Sequence, residues 1–260
     1  MKSYALYVFD LDGVLYRGDE LIPGAVETVA QLRSEQKLVR FLTNNSSETR
    51  ESRAQKLTAM GFEATPQEVY TSAFGASKIL GATSAFVVGE EGLREELHSG
   101  GTKVITQHDF AEWVVVGICW NFTYQMLDEA QRRIRDGSKF MATNRDNTFP
   151  DSGGRIKPGA GSIVSAIEAA AGRPPDVVVG KPEPFLLEHI LVDASIGPDK
   201  CLVIGDRLDT DVACANRAGC DSALVLTGVT SRDELDSQPN KPTYVTSSLA
   251  EFAARQPNPG

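Results

Sequence analysis

Short apolar runs that alternate with helical patterns constrain the fold of this chain more than any other feature of its sequence. Residues 5–9 form a continuous apolar run, which is typical of a strand buried on both faces of a parallel sheet. A helical pattern follows at about residues 25–34, and further apolar runs come at residues 38–42, 177–179, 202–204 and 223–225. This rhythm predicts an α/β fold built on a doubly wound parallel sheet.

The middle of the chain is too long to be a single connection within one such sheet. The stretch between Thr43 and Lys181 carries strand patterns of its own, near residues 85–88, 114–116 and 140–142, with helical patterns between them. We therefore predict a discontinuous core domain made of residues 1–80 and 177–260. Residues 81–176 are predicted to form a smaller α/β domain inserted into it.

The charge balance restricts the partners that this chain can have. Among its 260 residues, 35 Asp and Glu outnumber 26 Lys and Arg, and the formal net charge is −9. The sequence has no basic cluster that could follow a nucleic-acid backbone or an anionic membrane, so we expect neither partner. An anionic substrate would have to be attracted by local cations or by a metal ion.

Cysteine usage and the N-terminal sequence indicate the cellular compartment in which this protein is expected. The four Cys and three His residues show no metal-ligand spacing, which disfavours zinc, and cysteines without a CxxC pair suit a reducing compartment. No signal-peptide core follows Met1, and no apolar stretch approaches the ~20 residues that span a bilayer. We expect a cytoplasmic protein.

Four apolar runs are each followed directly by polar residues that could carry chemistry. Asp10, Thr43, Lys181 and Asp206 lie just past the runs that end at residues 9, 42, 179 and 204. In open parallel sheets, ligands bind at the carboxyl ends of the strands. These four residues are therefore candidates for one functional site.

The acidic residues form two groups. Asp10 and Asp12 stand in the segment DLDG, and their mutual repulsion is tolerable only with a cation, a shared proton or wide solvent exposure. Asp206, Asp209 and Asp211 open a predicted helix, where acidic residues also act as caps. A solvated turn and a helix cap therefore remain open for each group alone. Taken together, the groups would supply the hard oxygen ligands that suit Mg²⁺.

The segment TNN at residues 43–45 places a hydroxyl group and backbone N–H groups where a helix is about to begin. This arrangement is a natural cradle for an oxyanion, although in isolation a plain N-cap cluster is the more ordinary explanation. Lys181 adds one cation past another apolar run. An isolated lysine at such a position is usually only solvated, so its meaning depends on its neighbours.

These four segments, in this order, resemble the four loops of the haloacid dehalogenase (HAD) superfamily of phosphotransferases, which have the forms DxDG, a hydroxyl residue, Lys and GDxxxxD. The segments GDRLDTDV, GKPEP and ATNRD followed by PGAG are similar to subfamily IIA, which contains NagD-like, p-nitrophenyl, pyridoxal and phosphoglycolate phosphatases. The resemblance covers nearly the whole chain. It implies a Rossmann-like core with an inserted cap domain.

The resemblance implies a Mg²⁺-dependent hydrolase that removes phosphate from a small-molecule phosphomonoester through a phospho-aspartate. Asp10 would attack phosphorus, and Asp12 would protonate the leaving alkoxide and then deprotonate the hydrolytic water. Mg²⁺ would be held by the Asp10 carboxylate, the Asp12 backbone carbonyl and Asp206, with Asp211 acting through water. A carboxylate nucleophile splits one difficult step into two easier ones. The role of Asp209 stays open.

The same resemblance assigns the remaining functions to two further sets of residues. The oxygens of the transferred phosphoryl group would be held by Thr43, the N–H groups of Asn44 and Asn45, and Lys181. The inserted domain would exclude water and recognise the leaving group. Its candidates for substrate specificity are Asn144, Arg145 and Asp146, which without the resemblance would be interpreted as an ordinary polar turn.

Several questions stay open at this point. The turn at residues 119–122 reads CWNF where relatives often place a charged pair, and it is a candidate for altered substrate choice or for a subunit contact. A phosphotransferase of the same superfamily and a non-catalytic sensor remain alternatives. The leaving group can be glycolate, glycerol, nucleoside, sugar or pyridoxal. A homodimer and a monomer are both compatible with the resemblance.

Overall fold

The computed structural model describes residues 2–106, 109–150, 155–235 and 239–255. The chain divides into two compact units. The first unit comprises Met1–Thr43, Ala54–Tyr70 and Lys181–Gly260, and the second comprises Asn44–Arg53 and Thr71–Gly180. Each unit contains a parallel sheet with helices, so the predicted α/β class is confirmed.

The first unit is built around a six-stranded sheet. In spatial order its strands are Tyr244–Thr246, Asp221–Val225, Cys201–Gly205, Leu6–Phe9, Leu38–Thr43 and Val69–Thr71. The pairs among the first five of these strands are parallel, and Phe9 lies beside both Ile204 and Phe41. The helices that accompany this sheet are Ala25–Ser34, Arg50–Ala59, Phe185–Ala194, Ala213–Ala218 and Leu249–Ala254.

Complete burial of the central strands explains the continuous apolar runs of the sequence. Every residue of Leu6–Phe9 and of Cys201–Gly205 is buried, because helices cover both faces of a parallel sheet. Phe9, Phe41 and Phe62 pack in one core cluster. Each such side chain stabilises the unit by about 1.5–3 kcal/mol on burial. The rigid frame therefore fixes the positions at which these strands end.

The second unit has a five-stranded sheet of its own. Its strands, in spatial order, are Val177–Val178, Lys139–Ala142, Trp113–Val116, Ser84–Val88 and Lys103–Ile105, and all neighbouring pairs are parallel. A separate antiparallel pair is formed by Thr148–Pro150 and Ile156–Pro158. The helices of this unit are Ser72–Leu80, Glu91–Ser99, Tyr124–Arg135 and Ala160–Ala171.

The units differ in three places from the predicted division at residues 80 and 177, and one of these is the segment Asn44–Arg53, which belongs to the second unit. Val177–Val178 pairs with Met141 and Ala142 and so lies in the second sheet, not in the core sheet. Asp176 directs this pairing, because its carboxylate accepts the Phe140 N–H at 2.6 Å and its own N–H donates to the Phe140 carbonyl at 2.7 Å. Residues 71–80 also belong to the second unit, because the helix Ser72–Leu80 packs on Glu91–Ser99.

Within the described ranges, none of the helices is both long and apolar enough to cross a membrane.

Candidate active site

The two central strands of the first unit bring two of the predicted aspartates together. Phe9 and Ile204 are register partners, so the residues that follow them, Asp10 and Gly205, leave the sheet side by side. The Asp10 N–H extends the ladder by donating to the Ile204 carbonyl at 2.8 Å. Asp206 follows directly. The carboxylates of Asp10 and Asp206 are therefore positioned by rigid backbone.

Lys181 lies between two of the acidic side chains. Its Nζ donates to Asp10 Oδ1 and to Asp211 Oδ1, both at 2.6 Å, and to the Leu42 carbonyl at 3.2 Å. All three charged side chains are buried, with exposed fractions of 4% for Lys181, 11% for Asp10 and 2% for Asp211. The lysine is therefore an internal cation of the acidic cluster, and the solvated alternative is excluded.

The acidic cluster has the composition of a divalent-cation site. Asp10, Asp206 and Asp211 each offer a carboxylate oxygen, and these oxygens lie within 4.8 Å of one another. Among the described residues, none donates a hydrogen bond to the buried Oδ1 of Asp206. Buried polar atoms normally have a partner, so this oxygen is available to a ligand. Three carboxylates against one lysine leave an excess of negative charge that suits a hard cation such as Mg²⁺.

Burial and mutual repulsion shift the pKa values of the cluster. Burial, followed by the charge of Asp211, raises the pKa of Asp206 to about 7, although its bond from the Val229 N–H opposes the shift. Burial also raises the pKa of Asp10, and Lys181 opposes that shift. Burial alone would lower the pKa of Lys181, but Asp10 and Asp211 raise it and keep the amine charged. Without a metal ion, the ionised forms of Asp10 and Asp206 are thus disfavoured.

Glycine residues leave room for the acidic side chains. A Cβ atom at Gly228 would lie 1.8 Å from Asp206 Oδ2, and one at Gly205 would lie 2.2 Å from Asp211 Cβ. The loop that contains Gly228 also donates the Val229 N–H to Asp206 Oδ2 at 2.6 Å. The sequence analysis did not identify this loop. The dipeptide TG at residues 227–228, which follows the apolar run 223–225, is the signal that could have indicated it.

Asp12 differs from Asp10 in its surroundings. The turn after Asp10 is closed by hydrogen bonds from Gly13 N–H to the Tyr16 carbonyl and from Leu15 N–H to the Leu11 carbonyl, both at 2.8 Å. Gly13 adopts a φ of +84°, which glycine tolerates best. This turn leaves Asp12 exposed while Asp10 is buried. The two carboxylates of one motif are therefore placed in opposite environments.

Asp209 does not join the buried cluster. Its carboxylate pairs with Arg207 at 2.9 and 3.1 Å, and 62% of its side chain is exposed. Burial raises its pKa, but the hydrogen bonds and charge of Arg207 outweigh this, so the pKa of Asp209 is lowered. The arrangement is that of an ordinary ion pair at the π-helical turn Leu208–Val212.

Thr43 and the residues after it fall on either side of the division between the units. Thr43 ends the strand Leu38–Thr43 of the first unit and is buried. Asn44 and Asn45 belong to the second unit, where Asn45 Oδ1 accepts hydrogen bonds from the N–H and the hydroxyl of Ser47 at 2.8 and 2.9 Å. The segment is thus an ordered polar turn rather than a helical N-cap.

The predicted specificity residues lie together in the second unit, after the strand Lys139–Ala142. Asn144 and Asp146 both contact Asn44: Asn144 Nδ2 donates to the Asn44 carbonyl at 2.7 Å, and Asn44 Nδ2 donates to Asp146 Oδ2 at 3.0 Å. Arg145 instead forms an ion pair with Glu168. Ser72, which was not predicted, also donates to the Asn44 carbonyl. Its signal was the TS pair that ends one strand and opens a helix.

The turn at residues 119–122 places aromatic surface on the second unit. The side chain of Trp120 is 55% exposed and meets Phe149 edge to face, with ring centroids 5.8 Å apart. Cys119, like Cys201, Cys214 and Cys220, is a buried free cysteine. Burial raises the pKa of the Cys119 thiol. These cysteines are small buried side chains.

Comparison with known proteins places the chain in a family. Models of the haloacid dehalogenase-like hydrolases and of the HAD-hydrolase-like proteins match residues 7–103 and 178–252. An acid sugar phosphatase from Staphylococcus saprophyticus is 35% identical over 256 residues, which are 96% of this chain and 97% of that protein.

Solved structures agree with this placement. A p-nitrophenyl phosphatase from Archaeoglobus fulgidus superimposes with a TM-score of 0.91 at 33% identity, covering 98% of this chain and 100% of that one. A glycerol phosphate phosphatase from Mycobacterium tuberculosis in complex with magnesium gives 0.89 at 35% identity, covering 97% and 78%. The predicted resemblance and the predicted enzyme class, a phosphatase of this superfamily, are confirmed. The chain therefore belongs to the haloacid dehalogenase-like hydrolase family.

Proposed function

We propose that this protein hydrolyses a small-molecule phosphomonoester with the help of Mg²⁺, through a phospho-aspartate formed on Asp10. The observation that carries the proposal is the buried group of Asp10, Asp206, Asp211 and Lys181 at the carboxyl edge of the core sheet. Three buried carboxylates with one lysine carry a large desolvation cost, and a bound cation would offset their excess negative charge. The position of the group at this edge is the usual place for one.

The first half of the reaction transfers the phosphoryl group to the protein. The Asp10 carboxylate attacks phosphorus while Asp12 gives its proton to the leaving alkoxide, so an alcohol departs and an acyl phosphate forms. Exposure of Asp12 supports this division of work, because its carboxyl group can exchange a proton with the solvent and the leaving group. Asp10 is suited to attack because Lys181 holds one of its oxygens and favours the ionised form.

The second half regenerates the carboxylate. Asp12, now ionised, takes a proton from a water molecule as that water attacks phosphorus, and the bond to Asp10 breaks to give inorganic phosphate. In both halves, charge spreads over the phosphoryl oxygens. We assign these oxygens to four groups that carry hydrogen-bond donors: the Thr43 hydroxyl, the N–H groups of Asn44 and Asn45, and the Lys181 amine.

The residues present fit a magnesium ion. Asp10, Asp206 and the backbone carbonyl of Asp12 would hold it, and Asp211 would act through water. The orphaned Oδ1 of Asp206 supports this assignment. When bound, Mg²⁺ would offset the negative charge of the phosphoryl oxygens and of the carboxylates. Asp211 is already fixed by hydrogen bonds from Lys181 and from the Arg207 N–H, which suits a residue that would act on the ion through water.

The second unit is proposed to exclude water and to recognise the leaving group, with Arg145 as the candidate for direct contact. The names of the relatives support sugar phosphates and glycerol phosphate as first substrates to test. A cytoplasmic location and the absence of a nucleic-acid partner remain predictions.

The test is phosphate release from a panel of phosphomonoesters, measured with Mg²⁺ and with a chelator, on the wild type and on Asp10→Asn side by side. We expect release that requires Mg²⁺ and that falls at least a thousandfold in the variant, because the substitution removes the nucleophile with little change of shape. Acid quenching of the wild type during turnover should trap phosphate on the protein. Residual turnover of Asp10→Asn above a tenth of the wild-type rate would exclude the phospho-aspartate.

A further inference from the structure

The loop 226–230, which follows the strand Asp221–Val225 in the first unit, holds one oxygen of the Asp206 carboxylate. The Val229 N–H donates to Asp206 Oδ2 at 2.6 Å, and the Thr230 N–H donates to the Asp206 carbonyl at 3.2 Å. A carboxylate is planar and rigid, so a bond that fixes Oδ2 also restricts the direction of Oδ1. This second oxygen is buried and has no donor among the residues that the structure describes.

Two glycines allow the backbone to approach this carboxylate closely. A Cβ atom at Gly228 would lie 1.8 Å from Asp206 Oδ2, and one at Gly13 would lie 2.5 Å from the same oxygen. A side chain at either position would therefore displace the carboxylate. Glycine also leaves the backbone more freedom than other residues do. Because Gly228 directly precedes the N–H that holds Asp206, the position of that N–H depends on contacts made by the neighbouring residues of the loop.

Thr227 supplies such a contact. Its hydroxyl donates to the Gly13 carbonyl at 2.8 Å, and its own carbonyl accepts a hydrogen bond from Arg17. One residue earlier, the Leu226 N–H donates to the Thr246 carbonyl at 3.0 Å. The Thr227 hydroxyl thus joins the two glycine-containing segments that contact the carboxylate. All of these residues belong to the first unit, as do the three aspartates of the acidic cluster.

We propose that Thr227 is a positioning residue that holds the Asp206 carboxylate in the orientation in which Oδ1 is presented to a divalent cation. This inference rests on the proposed function, which makes Asp206 a ligand of Mg²⁺. Thr227 acts through the loop backbone, because its hydroxyl braces the segment that carries the Val229 N–H. Removing a group that orients a metal ligand typically weakens metal binding by about ten- to a hundredfold.

The experiment compares Thr227→Val and Thr227→Ser with the wild type. Valine keeps the shape of the threonine side chain but lacks the hydroxyl, whereas serine keeps the hydroxyl. Thr58→Val is the matched control, because the Thr58 hydroxyl also donates to a backbone carbonyl of the first unit, that of Ala64, at 3.0 Å. That bond involves no residue of the acidic cluster or of the loop 226–230. Any purely structural cost of losing such a hydroxyl appears in this control.

The quantity measured is the Kd of Mn²⁺, which EPR detects and which stands in for Mg²⁺, on chelator-treated protein without substrate. Competition with Mg²⁺ then gives the Kd of that ion. We expect Thr227→Val to raise both Kd values about tenfold and Thr227→Ser to restore most of the affinity. Thr58→Val should lower only the thermal midpoint. In the Asp206→Asn background, Thr227→Val should change the Kd no further, because both substitutions remove the same interaction.

Other results would overturn the inference. If Thr227→Val leaves the Kd unchanged, whatever its thermal midpoint, the hydroxyl only stabilises the fold. If Thr227→Val still raises the Kd in the Asp206→Asn background, Thr227 does not act through Asp206. A wild type that binds Mn²⁺ but releases no phosphate from any ester would refute the proposed function, while the Kd values of the variants would still decide the inference.

Discussion

Replacement of Lys181 by methionine tests whether the lysine is needed to tolerate the buried acidic cluster. The substitution keeps the length of the side chain and removes an amine that lies 2.6 Å from both Asp10 and Asp211. Deleting one partner of a buried ion pair costs about 3–5 kcal/mol, because the remaining charge is left uncompensated. Two carboxylates lose their cation here, so we expect a loss of unfolding free energy at the upper end of this range.

The loss should depend on pH in a defined direction. Lys181 lowers the pKa of Asp10, so its removal raises that pKa further above the unfolded value. A carboxyl group with a raised pKa in the folded state is tolerated while it is protonated, and the stability is lost as the pH rises through the folded pKa. The deficit of Lys181→Met relative to the wild type should therefore be smaller at pH 5 than at pH 8.

Urea unfolding in the presence of a chelator measures both effects. Unfolding curves of the wild type and of Lys181→Met are compared at pH 5 and pH 8, so that the metal does not contribute. Lys200→Met is the control, because Lys200 is an exposed lysine of the same unit, and it should change the unfolding free energy by less than about 0.5 kcal/mol. A deficit of Lys181→Met below about 1 kcal/mol, or one equal at both pH values, would refute the reasoning.

Three further predictions concern single contacts. Gly228→Ala would place a Cβ atom 1.8 Å from Asp206 Oδ2, so it should lower stability by about 1–3 kcal/mol and weaken Mg²⁺ binding. Gly197→Ala is the control, because its Cβ would meet only an exposed side chain, and calorimetry should show no change in its stability or in its Mg²⁺ binding. Asp206→Asn should raise the Mg²⁺ concentration for half-maximal phosphate release at least tenfold, and an unchanged value would mean that this side chain is not a ligand. Burial raises the pKa of Glu68, but hydrogen bonds from Arg33 and from the Thr65 backbone outweigh burial and lower this pKa. Glu68→Gln should therefore cost about 1 kcal/mol of unfolding free energy at pH 7, and nothing once the pH falls below that pKa. A pH-independent loss in urea unfolding would contradict this.

The positions of the acidic residues followed from the sequence because they depend on strand burial alone. Asp10 and Asp206 each end a fully buried apolar run, and parallel strands of one sheet end at one edge. The position of Lys181 was less directly predictable from the sequence, because the apolar run before it, Val177–Val178, joins the second sheet. A two-residue strand carries the same apolar pattern in either sheet. Its pairing is decided by Asp176 and Phe140, a tertiary contact that no periodicity records.

Small residues that lie next to a candidate site residue were the least predictable. Ser72 looked like part of a helix start, and Gly228 like part of an ordinary turn. Their importance depends on what lies next to them in space: the carbonyl of Asn44 in one case and the carboxylate of Asp206 in the other. Both neighbours are distant in sequence, so residue type and spacing could not identify them. The loops around a site are therefore less predictable than the charges within it.

In the proposed mechanism, Asp10 and Asp12 take different roles although their side chains are identical. Asp10 continues a buried strand, and its carboxylate is fixed by Lys181 among other acidic groups, where a cation favours the ionised form. Asp12 lies two residues later and is exposed, so its carboxyl group is open to proton exchange with the solvent. A nucleophile must stay ionised, and an acid and base must gain and lose a proton in each cycle. Asp10 and Asp12 thus occupy opposite environments two residues apart, which would let one short motif serve both halves of the proposed reaction.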